Sequence, residues 1–173
     1  MSDLPYESVR KLSASDHFND FHCGQVPLDD YIRRFAFANQ QANSAQTYVC
    51  CSGGKVIGFY SLAVGSVEPQ HAAPRVIKGM ARHAVPVMIL ARLAVDVGHQ
   101  KKGLGQALLK DALLRTAQAA EIAGIRALLV HAKDDAARQW YLNWEFEPSA
   151  TDPFHLFLLL KDLKTALMGT TGV

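Results

Sequence analysis

Gln100-Lys101-Lys102-Gly103-Leu104-Gly105 lies between a strongly apolar stretch and an amphipathic one, in the pattern Q-x-x-G-x-G. Small residues let a backbone approach an anion closely, and the first N–H groups of a helix have no intrahelical partners. Those groups sit at the positive end of the helix dipole, where a phosphate binds readily. Lys101 and Lys102 add charge beside them. Two common nucleotide loops do not fit. A Walker A loop ends in Gly-Lys-Ser/Thr, whereas Gly105 is followed by Gln106, and a dinucleotide fingerprint has a third glycine that is missing here. The competing interpretation is a tight strand-to-helix turn without a ligand.

Other residues capable of chemistry give less. His131 stands in an apolar segment and reads as a core residue, while His99 abuts the loop and is a candidate contact. His22 and Cys23 are adjacent, so their side chains diverge, which argues against a nucleophile–base pair. Three cysteines, Cys23, Cys50 and Cys51, are an odd number with two adjacent, a poor disulfide framework. No C-x-x-C or H-x-x-x-H spacing points to zinc, so no metal is expected. The cysteines read as small, buried apolar residues.

The loop needs a strand before it and a helix after it. Pro86 to Val95 is apolar enough for a central strand covered on both faces. From Gly103, Leu104, Ala107, Leu108, Ala112 and Leu113 form one helical face and Gln106, Lys110, Asp111 and Arg115 the other, with Gly124 as a candidate terminator. Upstream, helical spacing predicts a helix from about Leu28 to Gln41, with Asp29 and Asp30 in its first turn. Thr47–Cys51 and Val56–Val67 are strands joined by Ser52-Gly53-Gly54-Lys55, a hairpin turn. Glu68–Val85 reads as a loop with a short helix. Downstream, Ala127–Ala132 is a strand, Asp134–Trp144 a short helix begun by Asp134 or Asp135, Phe146–Pro148 a short strand and Phe154–Leu160 a strand. This order predicts an α/β (α+β) chain with a mixed sheet and parallel crossovers. With 173 residues and no linker, residues 1–173 are expected to form a single domain.

Composition is that of an ordinary globular protein, and the net charge is only +2. The distribution is more telling: from Pro69 to Lys110 the sole acid is Asp96, against seven lysines and arginines. A basic middle suits an anionic ligand or a polyanionic partner, or else is a solvated surface. No apolar run approaches the roughly 20 residues that span a bilayer, and the start lacks a basic-then-apolar leader, so no membrane association and a cytoplasmic location are expected.

Leu93-Ala94-Val95-Asp96 followed by Gln100–Gly105 resembles the central motif of the GNAT acetyltransferases. A second motif of that family has Asn, then Ala, then Tyr, with Gly-Phe four residues on. Here Ala137, Tyr141 and Phe146 fit, while Asp134 stands in place of Asn and Glu145 in place of Gly. The resemblance implies a mixed central sheet of about six to seven strands flanked by helices, with a splayed parallel strand pair holding acetyl-CoA. It implies that Leu93, Ala94 and Val95 lend backbone groups to the pantetheine arm. Gln100, Lys101, Lys102, Gly103, Leu104, Gly105 and Gln106 then surround the pyrophosphate, and Asp134 and Ala137 lie on the cofactor side. Tyr141 becomes the general acid that protonates the departing thiolate; without the resemblance, a tyrosine between Trp140 and Trp144 would be simple packing.

A narrower resemblance spans almost the whole chain. Phe21-His22-Cys23-Gly24, Leu28-Asp29-Asp30-Tyr31-Ile32, Thr47-Tyr48-Val49, Gly58–Ala63 and Arg92-Leu93-Ala94-Val95-Asp96 resemble the GNAT toxins of bacterial toxin–antitoxin pairs. That group implies acetylation of the α-amine of aminoacyl-tRNA, which blocks translation, a ribbon-helix-helix antitoxin as partner, and a homodimer. Arg33, Arg34, Arg75, Lys78 and Arg82 then become contacts to tRNA phosphates. Arg92 either meets the acceptor end or forms a structural ion pair. The alternatives are an N-acetyltransferase for a small-molecule or protein amine, and a non-catalytic CoA- or nucleic-acid-binding module.

Overall fold

The computed structural model describes residues 6–169. Along the chain come β1 (Arg10–Lys11), α1 (Val26–Asp30), a π-helical segment (Tyr31–Phe35), α2 (Ala36–Gln41), β2 (Gln46–Ser52), β3 (Lys55–Val67), α3 (Pro74–Ile77) and β4 (Val85–Val95). Then follow α4 (Leu104–Ala120), β5 (Ala127–His131), α5 (Asp135–Leu142), β6 (Glu147–Pro148), β7 (His155–Leu159) and α6 (Leu160–Gly169). The strands form one seven-stranded sheet in the order β1-β2-β3-β4-β5-β7-β6. β4 and β5 run parallel, whereas the β1–β2, β2–β3, β5–β7 and β6–β7 pairs are antiparallel. This is the mixed architecture expected, with β4 in the middle.

The chain divides into two compact units. One comprises the described residues up to Ala63 with Ala91–Ala112; the other comprises Val64–Leu90 and the described residues from Leu113 onward. In the first, Phe21, Tyr31, Ile32, Val49, Phe59 and Ala94 share a core. Phe21 meets the Phe59 ring edge-on at 5.4 Å. The expected helix over 28–41 contains a π turn: the N–H of Ala36 reaches the carbonyl of Tyr31, five residues back. The wider turn lets Tyr31, Ile32 and Ala36 all face the core while Arg33, Arg34 and Phe35 stay exposed. Gly58 explains how α4 reaches the sheet. A Cβ there would lie 3.0 Å from Leu108 Cδ1 and 3.3 Å from Leu104 Cδ2, so the helix packs directly on backbone. Thr47 and Ser61, opposite each other on β2 and β3, are fully buried and share a hydrogen bond of 2.6 Å.

In the second unit, Val76, Val85, Val87, Ala127, Leu129, Phe157 and Leu159 form the core. Arg126, just before β5, holds the end of α3: Nε donates to the Val76 carbonyl at 2.8 Å and Nη2 to that of Lys78 at 3.1 Å. α4 ends at Ala120, and the N–H groups of Ile122 and Ala123 both return to the Ala119 carbonyl. Gly124 does not take the left-handed conformation its position suggests; the helix closes before it. α6 is an element the sequence pattern did not reveal.

The end of α5 carries the one departure from the expected motif with a backbone consequence. Glu145 N–H donates to the Leu142 carbonyl and Phe146 N–H to that of Tyr141, which closes a Schellman turn. That geometry needs a left-handed residue, and Glu145 supplies it at φ 70. A side chain in that region costs about 1 kcal/mol. Glu145→Gly is therefore expected to raise the thermal midpoint by roughly 2–4 °C, and Glu145→Val, β-branched, to lower it, both measured by calorimetry.

Candidate active site

The loop and the last five residues of β4, Ala91–Val95, lie in the first unit. Parallel pairing of β4 with β5 runs from Val87↔Ala127 to Leu90↔Val130 and stops there, yet β4 continues to Val95. Leu93–Val95 are thus past the end of the ladder on that side, where their backbone groups can meet a ligand. Ala94 is buried in the core, and its neighbours Leu93 and Val95 are half-buried, as alternation along a strand requires.

Beyond Val95 the chain is held by side chains. Asp96 opens a 3-10 turn over Val97–His99, one carboxylate oxygen accepting from Gly98 N–H at 3.0 Å and the other from His22 N–H at 3.0 Å. Gln100 Nε2 donates to the Val95 carbonyl at 2.8 Å and to the Cys23 carbonyl at 2.9 Å. The Gln100 amide group thus braces the loop from below. Lys101 at φ 62 and Gly103 at φ 83 then turn the chain into α4, and Ala107 N–H is bonded to the Gly103 carbonyl. The N–H groups of Leu104, Gly105 and Gln106 precede that bond, at the helix start where intrahelical acceptors run out. The side chains of Lys101, Lys102 and Gln106 are exposed, while that of Leu104 is buried, so Leu104 serves a ligand only through its backbone.

The cationic candidates of this unit behave differently from one another. Arg33 donates to the Phe21 carbonyl. Arg92 lies over the Tyr31 ring, 3.9 Å from its centroid, a cation–π contact rather than the ion pair considered as an alternative. Arg34 is exposed. His99 shares a hydrogen bond of 3.2 Å with the Tyr6 hydroxyl.

Tyr141, Asp134 and Ala137 lie in the second unit. Asp134 caps α5, its carboxylate accepting from Ala137 N–H at 2.8 Å, so the Asp that replaces the motif's Asn has a local structural task. Tyr141 is 9 % exposed, with the Trp140 ring centroid at 4.9 Å and that of Phe146 at 5.3 Å. Burial pushes the phenol pKa above its ordinary value. His131 is exposed rather than a core residue; its ring stacks on His155 at 4.0 Å, and the partial burial of that ring, followed by the nearby His155, lowers its pKa. Arg75 pairs with Glu147 at 2.5 Å and Asp162 at 2.9 Å, while Lys78 and Arg82 are exposed. Among the described residues no group of three His, Cys, Asp or Glu could hold a metal ion.

The residues that motif reading undervalued are Asp29 and Asp96. Asp29 looks like a helix-dipole acid but is 3 % exposed and takes hydrogen bonds from Cys23 N–H at 2.8 Å and His22 Nδ1 at 3.1 Å. Only its apolar neighbours in Phe21–Ile32 could have hinted at burial.

The raised Tyr141 pKa has a definite sign for stability. Above the ordinary tyrosine pKa of about 10, the unfolded chain releases this proton while the folded chain keeps it, so stability falls as pH rises. Urea unfolding at pH 9 and pH 11 is expected to show a smaller alkaline loss for Tyr141→Phe than for the wild type.

Residues 43–148 match the family model described as an acetyltransferase (GNAT) domain. A tRNA-acetylating toxin of Mycobacterium tuberculosis is 47 % identical over 95 % of this chain and 98 % of its own. AtaT complexed with acetyl-methionyl-tRNAfMet superposes with a TM-score of 0.85 at 22 % identity, covering 93 % of this chain and 98 % of that one. A variant of the AtaT toxin bound to acetyl-CoA and the C-terminus of the antitoxin AtaR gives 0.79 at 22 %, covering 91 % and 96 %. Matched by this family model over residues 43–148 and by a relative 47 % identical over 95 % of its length, the chain belongs to the GNAT acetyltransferase family.

Proposed function

We propose that this chain transfers the acetyl group of acetyl-CoA to the α-amine of aminoacyl-tRNA and so arrests translation. The carrying observation is the 47 % identity, over nearly the whole of both chains, with a tRNA-acetylating toxin. The geometry supports each role. Leu93–Val95, past the last β4–β5 pair, offer strand hydrogen bonds to the pantetheine arm. Lys101 and Lys102 with the N–H groups of Gly103–Gln106 take the pyrophosphate. Gln100 and Asp134 act one step back, by bracing the loop and capping α5.

Acetyl-CoA supplies the activated thioester. Val95 N–H stabilises negative charge developing on the acyl oxygen. Tyr141 holds its proton throughout the neutral range, because burial disfavours the phenolate, and gives it to the sulfur as the C–S bond breaks. The raised pKa keeps the proton on the phenol until the departing sulfur gains charge. The α-amine of an aminoacyl ester is less basic than a lysine amine and attacks as the neutral base. The C–N bond replaces the C–S bond, and the proton the nitrogen loses passes by way of solvent to restore the Tyr141 phenol, so no dedicated base is needed.

Arg34 and Arg92, with Lys78 and Arg82, contact tRNA phosphates. Arg33 and Arg75 contribute less, since the first is tied to a carbonyl and the second to two carboxylates. The chain works as one GNAT domain over residues 1–173, in the cytoplasm where charged tRNA is found. Among the described residues no helix is long and apolar enough to cross a membrane. A ribbon-helix-helix antitoxin neutralises it, in keeping with the antitoxin complex of a structural neighbour, and the active form is a homodimer.

Incubation with labelled acetyl-CoA and a mixture of charged tRNAs is expected to label aminoacyl-tRNA. Label on a small amine alone would support the small-molecule alternative instead. Tyr141→Phe is expected to lower kcat by about 100-fold or more, with little change in KM for acetyl-CoA. Arg92→Ala is expected to raise KM for charged tRNA and to flatten its dependence on salt.

A further inference from the structure

Asp29 lies outside the loop that meets the cofactor, yet hydrogen bonds link it to that loop through one short segment. Its carboxylate accepts from Cys23 N–H at 2.8 Å and meets His22 Nδ1 at 3.1 Å. From the same two residues three bonds run onward. The Cys23 carbonyl accepts from Gln100 Nε2 at 2.9 Å, His22 N–H donates to Asp96 at 3.0 Å, and the His22 carbonyl accepts from Val97 N–H at 2.8 Å. Gln100 closes the circuit on the Val95 carbonyl at 2.8 Å. The segment from His22 to Cys23 is therefore a splint, bonded to a buried carboxylate on one side and to the 95–100 turn on the other.

We propose that Asp29 is a positioning residue for the pyrophosphate loop, acting through His22–Cys23 on Asp96, Val97 and Gln100. This rests on the reading that Lys101–Gln106 bind the pyrophosphate of acetyl-CoA. Asp29 belongs to α1, whose continuation is fixed in the core by Tyr31 and Ile32, so the carboxylate is a stationary anchor. Burial opposes its charge, but the bonds from Cys23 and His22 outweigh burial and hold it ionised. The loop it steadies contains Lys101 at φ 62, a conformation that persists only where the surroundings over-determine it. Neutralising Asp29 weakens the hold on Cys23 N–H and His22, and the turn relaxes with the splint.

Asp29→Asn preserves shape and isolates the charge. In the full chain, its Kd for coenzyme A by calorimetry and its KM for acetyl-CoA are expected to rise by about tenfold, a misplacement effect. Its kcat at saturating acetyl-CoA and KM for the acceptor should stay within about twofold. Hydrogen exchange should speed up at the amides of Cys23, Val97 and Gly98 by about tenfold or more, with the β2–β3 hairpin unchanged. A folded Asp29→Asn that binds coenzyme A as the wild type does overturns the proposal, as does an even acceleration of exchange across the chain. If Asp29→Asn does not fold, Gln100→Leu cuts the splint at an exposed residue; unchanged coenzyme A binding there overturns the proposal equally. A wild type that does not bind coenzyme A instead overturns the pyrophosphate reading, a distinct result.

Discussion

β4 loses its parallel partner after Leu90 but does not end until Val95. A strand that gives up one row of ladder bonds must be kept extended by something else, or it bends toward whatever acceptor is near. The first unit meets that need from three directions. Ala94 is locked in the core beside Phe21 and Phe59. Asp96 N–H is bonded to the Ile57 carbonyl on β3 at 2.8 Å. The Val95 carbonyl is occupied by Gln100. The backbone past the ladder's end is thus pre-shaped before any ligand arrives, and preorganisation of this kind lowers the cost of binding.

Much of this was legible in the sequence. The apolar stretch before Gln100 and the two-faced run after Gly103 located β4 and α4, because periods of this strength survive tertiary context. The hairpin at Gly53-Gly54 was equally plain, and both glycines have positive φ. The π turn was not legible: its five residues have ordinary helical composition, and only the need to bury Tyr31, Ile32 and Ala36 together selects it. β1 is two residues long, too short for any period. α6 follows β7 without an intervening loop, so Leu160 reads as the strand's last residue. Within the site, the resemblance implied that Gln100 surrounds the pyrophosphate with its neighbours. Its side-chain amide is bonded to the carbonyls of Val95 and of Cys23, the latter 77 residues away, which no local pattern encodes.

The arginines show the same limit. Sequence counts charges, and a basic middle was visible at once. Structure shows how those charges are occupied. Within that middle Arg75 is engaged with two carboxylates, and outside it Arg33 and Arg126 are engaged with carbonyls. Arg92 is stacked on an aromatic ring that orients it without neutralising it. The cationic surface offered to a polyanion is therefore smaller than the composition suggests, and it is better defined.

The cysteines have a consequence of a different kind. Among the described residues Cys23, Cys50 and Cys51 form no disulfide and are buried, and burial pushes the Cys50 thiol up to about 11. Reaction with electrophiles requires the thiolate and access to it, and these thiols lack access while folded. A maleimide offered to the native chain finds no ready target among them. A single cysteine introduced on an exposed position, such as Lys102, would therefore be the preferred site of attachment for a fluorophore or spin label. The chain is in effect already prepared for watching the turn into α4 respond to an added ligand.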